Sequence, residues 1–274
     1  MLFIFFGCVF LSSCAGNTAS AELASSSKMN IVDKDPVTLP SMVQEEFNAD
    51  TPTSSPTLRP SSTMVPSLTP IPSFTPVPSP TPIPDSFYIS GVPSFRQSYP
   101  LSCESRTAVD WADYFGVTIF ESDFQFGLTR SDNPDKGFVG EVHDPWGQIP
   151  PYSYGVHAQP VADLLKEDYG LPARAAKNFS LENLKREIAS GQPLIAWVIG
   201  NMVSGTPVEY VDQVGDKVTV APYEHTVIIT GYGKDHIRYL NNGKFYQVPV
   251  EVFTSSWAVL GNMVVYHHDP GEHY

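Results

Sequence analysis

The apolar positions of this chain fall into two regimes. Between residues 104 and 190 they recur at the three- and four-residue spacing of helices. Ala108, Trp111, Ala112 and Phe115 predict a helix over 104–115, stopped by Gly116. A short helix is expected over 119–128. Val161, Leu164 and Leu165 predict another over 159–169, ended by Gly170. A fourth spans 180–190, with Ser180 as N-cap and Gly191 as terminator. From Leu194 the period becomes that of strands. The run 194–199 is wholly apolar, and 208–211 with 217–221 reads as a hairpin. Short strands are expected over 225–232, 236–240 and 244–248, then a helix over 250–257 and a strand over 262–266. Residues 131–154 are dense in Gly, Pro and Asp and read as loop. Helices followed by an antiparallel sheet define an α+β fold class.

The region upstream cannot fold this way. Half of the 26 prolines lie before Asp85, and Arg59 is the sole charge between Thr51 and Pro84. So little apolar surface cannot offset chain entropy, and polyproline II at about 3.1 Å per residue is expected. Roughly thirty such residues reach about 100 Å, a stalk length. Before the stalk, Leu2–Leu11 is almost wholly apolar yet too short to span a bilayer. Leu11-Ser12-Ser13-Cys14 resembles the lipobox of bacterial lipoproteins, although no Lys or Arg precedes the apolar run. Lipidation of Cys14 is expected, with an ordinary secretory signal as the alternative. These boundaries give a signal segment (1–14), a Pro/Ser/Thr-rich linker (15–85), a domain of roughly 185 residues (86–268) and a tail (269–274).

Formal charge is −13, which argues against a nucleic-acid partner. Of three cysteines, Cys8 and Cys14 fall in the targeting segment, so Cys103 has no disulfide partner in the domain. It is either a small buried hydrophobe or a reactive thiol. Its place at the start of the first helix favours reactivity, because free amide donors and the helix dipole stabilise a thiolate. A nearby imidazolium would lower the thiol pKa further. His225, opening an apolar strand, is the best placed of seven histidines; otherwise it is a strand-end surface residue. His143 and His157, in or near the polar loop, are candidate substrate contacts. His267, His268 and His273 look exposed. Gln97 is placed to join the Cys103 N–H as an oxyanion donor, unless it is an ordinary loop glutamine. Asn241 or Asn242 would accept from the imidazole. Asn241 is preferred because Ile237 and Tyr239 share its face, while Asn241-Asn242-Gly243 also reads as a turn. Asp132–Gly137 lacks the spacing of a calcium loop, and nothing along the chain has zinc-site spacing.

These residues carry a family resemblance. Val92-Pro93 with Gln97, Leu101-Ser102-Cys103-Glu104-Ser105, Gly191-Gln192-Pro193-Leu194-Ile195 and His225–Tyr232 are similar to the papain-like C39-like peptidases. The resemblance covers about 92–265. It implies N-terminal helices packed on a C-terminal antiparallel sheet, Cys103 as nucleophile, His225 as base and acid, and Gln97 as oxyanion donor. It implies an Asp where Asn241 stands, an amide that papain-like enzymes also use. Bacteriocin-processing relatives carry a transporter, for which this chain has neither a second long apolar run nor a phosphate loop, so leader-peptide cleavage is not implied. The expectation is an extracytoplasmic, lipid-anchored, monomeric cysteine peptidase or amide hydrolase. It would act on a peptide or protein with no cofactor and no metal. A non-catalytic binding module on a stalk is the alternative, and acyl transfer to an amine is a third reading.

Overall fold

Each amphipathic segment of the middle region forms its expected helix in the computed structural model, which describes residues 82–268. The expected signal, Cys14, most of the linker and the tail lie outside the described residues. Helix α1 is Cys103–Tyr114, α2 Glu121–Gly127, α3 Ala158–Glu167 and α4 Leu181–Ala189. Helix α1 leaves through Phe115, whose N–H bonds to the Ala112 carbonyl, and Gly116 at φ +83, whose N–H bonds to the Asp113 carbonyl, turns the chain away. Ser180 caps α4 by accepting the N–H of Asn183 at 3.0 Å.

The strands are β1 (Phe87–Tyr88), β2 (Ala173–Ala176), β3 (Leu194–Ile199), β4 (Val208–Val211), β5 (Lys217–Val220), β6 (Glu224–Tyr232), β7 (His236–Asn241), β8 (Lys244–Pro249) and β9 (Val264–His267). Helix α5 (Val250–Ala258) separates the last two. Strand β9 starts two residues later than its pattern suggests, because Asn262 sits at φ +51. The alternation gave no sign of β1 and β2. The first has only two residues, and the second is three alanines and an arginine, which lack strand-forming side chains.

The main sheet is antiparallel, in the order β2-β9-β3-β6-β7-β8. Strand β1 pairs with Gly231 and Tyr232, the end of β6 that β3 does not reach. Strands β4 and β5 form a separate hairpin. Every residue of β3 and β6 is buried, which is why β3 reads as a continuous apolar run and β6 carries a shorter one in Val227, Ile228 and Ile229. Helices α1 and α4 pack on β6, and α5 packs on β3. Trp111, Trp197 and Trp257 fill the core, and each indole N–H is satisfied by a carbonyl, of Pro193, Val156 and Met263 respectively. One buried polar bond sets the helix against the sheet: the hydroxyls of Thr107 and Thr226 lie 3.0 Å apart. Thr107 is one helical turn beyond Cys103, and Thr226 follows His225, so this bond fixes the two against each other. Among the described residues no helix is long and apolar enough to cross a membrane.

Candidate active site

Cys103 is the first residue of α1, and His225 the second of β6. Both line one cavity of about 470 Å³, with Gln97, Tyr99, Trp146 and Asn201. A narrower recess beneath it also holds Cys103, His225 and Asn241. The β6–β7 register sets Leu240 opposite Ile228 and brings the next residue, Asn241, up beside His225. There His225 Nε2 lies 2.9 Å from Asn241 Oδ1. An amide oxygen only accepts, so Nε2 carries the proton and Nδ1 the lone pair. Asn242 holds the corner at φ +48, accepting from the Gln97 backbone N–H and donating to Asn241 Oδ1. The turn and the histidine acceptor are therefore the same feature.

The electrostatics differ from the expected thiolate beside an imidazolium. Cys103 is 4% exposed, and its thiol donates to Glu104 Oε2 at 3.1 Å. Burial pushes the thiol well above its ordinary range, and Glu104 and Glu224 push it further. Thr226 hydrogen-bonds the sulfur and opposes this. Burial also lowers the pKa of His225, partly offset by Asn241. Both shifts favour the neutral forms, a thiol and an unprotonated imidazole. Glu104 Oε1 accepts the Val156 N–H at 2.7 Å. Burial raises Glu104, and burial together with Glu104 raises Glu224 further. The proximity of Glu224 to Cys103 was not foreseen. Its only sequence signal is its position beside His225.

Gln97 lines the cavity, but its amide N–H groups donate to the carbonyls of Tyr99 (2.8 Å) and Pro100 (3.1 Å). It reaches an oxyanion only by releasing one of them. Trp146 was also missed. Its indole donates to the Glu224 carbonyl at 2.7 Å, and its ring meets His225 edge-on at 5.9 Å. Tyr223, at φ +60, packs its ring on Trp146. His157 is not a substrate contact: it is fully buried, with Nδ1 2.7 Å from Asp135 Oδ1 and Nε2 facing the Tyr154 hydroxyl. His143 is exposed against the Tyr99 ring, and His267 is half-buried, stacked on Phe115. In the 132–137 loop the Lys136 ammonium bonds Asp212 and Asp216, which fits the turn reading.

The model of the Peptidase C39-like family matches residues 89–265, from the end of β1 to the middle of β9. The chain belongs to the C39-like peptidase family. Its fold is that of a Bacillus anthracis protein described as a C39-like peptidase, at TM-score 0.60 and 21% identity, covering 69% of this chain and 100% of that one. Xylellain, a cysteine protease from Xylella fastidiosa, aligns at TM-score 0.38 and 11% identity over 68% of this chain and 86% of its own, too slight a likeness to bear on function. No curated protein matches the chain. Cys103, Gln97, His225 and Asn241 all fall within the C39-like match.

Proposed function

We propose that the domain is a cysteine peptidase or related amide hydrolase. Cys103 is its nucleophile, His225 its general base and acid, Asn241 the orienter of His225, and Gln97 with the Cys103 N–H its oxyanion donors. The observation that carries this is the meeting of Cys103 and His225 in one cavity, with His225 Nε2 tied to Asn241. In acylation the thiol proton passes to His225 Nδ1, and sulfur attacks the carbonyl carbon. The C=O pair moves to oxygen, then returns as the C–N bond breaks, and His225 protonates the departing amine. Water next attacks the thioester, giving its proton to His225. The acid leaves, and the proton returns to sulfur. Because both partners start neutral, transfer is driven by substrate entering the cavity, not by a preformed ion pair. The tether of this enzyme is Cys14, lipidated on the outer face of the membrane, with residues 15–85 as the stalk.

The test is labelling of Cys103 by a thiol-directed probe near neutral pH, read at the peptide level by mass spectrometry. His225→Ala should slow it severalfold, and equal rates would count against a paired thiol. A second reading, a binding module that keeps the shell of a peptidase, is favoured by the thiol's bond to Glu104 and its raised pKa. It wins if Cys103→Ala still binds a cell-wall or peptide partner while the wild type turns over no peptide substrate.

A further inference from the structure

Three acidic donors meet beneath the cavity. Cys103 Sγ, a Glu104 carboxylate oxygen and a Glu224 carboxylate oxygen all lie within 4.8 Å of one another. Each side chain is more than nine-tenths buried. Glu224 is only 2% exposed, and among the described residues its oxygens have no hydrogen-bond partner other than the facing Glu104 carboxyl. Both carboxyl groups converge over Gly155. A Cβ there would sit 2.1 Å from Glu104 Oε1 and 3.2 Å from Glu224 Oε2, and Gly155 holds φ +125. The backbone thus leaves room for two acids where a side chain would evict one. Buried anions that face each other need protons or a cation between them.

We propose that Cys103, Glu104 and Glu224 form a binding site for a divalent cation of the zinc class, entered from the cavity, which silences the nucleophile while it is bound. The silencing rests on the peptidase reading; the site itself does not. One thiolate with two carboxylates selects a borderline-soft ion over magnesium or calcium. A tetrahedral ion wants donors about 3.5 Å apart, given bonds of roughly 2.0–2.3 Å, which side-chain rotation supplies from the present spread. Cys103 lines the cavity, so the fourth position opens toward it. Binding replaces the thiol proton and the proton shared by the carboxyl pair with the ion. Three anionic donors around a doubly charged cation leave the cluster with the single negative charge it had before, so no new net charge is buried. His225 stays outside the set, its Nε2 tied to Asn241.

The test titrates metal-free full-length protein with zinc chloride at pH 7.5 and follows Cys103 labelling by peptide-level mass spectrometry, with circular dichroism as the check on folding. Micromolar zinc should slow labelling at least tenfold. Glu224→Gln, which keeps the shape but loses the anion, should weaken zinc at least tenfold. His225→Ala should shift zinc affinity less than threefold. No protection up to millimolar zinc overturns the site and leaves a proton between the carboxyls. Protection that survives Glu224→Gln but is lost in His225→Ala overturns it too, because the cation then sits on the Cys–His pair. Failure of the peptidase reading appears separately, as absent turnover in metal-free protein, and does not change the zinc titration.

Discussion

Cys103 is held between two influences of opposite sign. The start of α1 favours its anion, while burial, Glu104 and Glu224 favour its thiol and prevail. His225 is subject to a simpler one. Burial depresses its pKa, and the Asn241 oxygen, by accepting from Nε2, partly restores it. The imidazole must be neutral to accept a proton, so activity should rise with pH through a limb below the ordinary histidine value of about 6.5. Asn241→Ala removes the restoring bond. The limb should then move lower still, with kcat falling at least about tenfold as the ring loses its orientation. A pH–rate profile of both proteins checks the direction of the shift. Gly155→Ala tests the floor beneath the acids. The added methyl collides with Glu104 and demands a strained φ, so a loss of about 3 kcal/mol or more is expected in urea unfolding. Of the residue-level chemistry, the sequence offered Cys103, His225 and Asn241 because each stands at the end of a recognisable element. It could not offer Glu224 as a neighbour of the thiol, since the two are brought together only when β6 packs on α1.

At the scale of elements, the site is a helix start set against a strand start. The Thr107–Thr226 hydroxyl bond is the device that registers one on the other. Thr107→Val keeps the volume but leaves Thr226 with one buried partner fewer. It should cost about 1–3 kcal/mol in denaturant midpoint, and it should change Cys103 labelling even where the fold survives. Ser180→Ala is the control: it removes the α4 cap, costs about 1 kcal/mol, and leaves labelling unchanged because neither Ser180 nor any residue of α4 lines the cavity. The helices were readable because one face of each is apolar, and β3 and β6 because both are buried along their whole length. Strands β1 and β2 were not. Their residues carry no β pattern, and they are strands only because β6 and β9 present unpaired edges for them to bond.

At the scale of the whole molecule, the main hydrophobic core and the cavity that holds Cys103 and His225 are both built from the described residues 82–268. A fragment of those residues should melt within about 2 °C of the full chain in calorimetry, since the composition of the Pro/Ser/Thr-rich segment offers little apolar surface to bury. In fractionated cells Cys14→Ser should move the full chain from the membrane to the soluble extracytoplasmic pool. The sequence by itself determined the α+β fold class, the helices and most of the strands in their order, and a short set of candidate site residues. It could do so because periodicity, capping and turn composition are local and act within a few residues. Only the tertiary structure decided the protonation of that set. Burial and two buried acids push the thiol up and burial pushes the imidazole down, because electrostatics depends on which distant groups share a dry pocket, and no spacing along a chain records that.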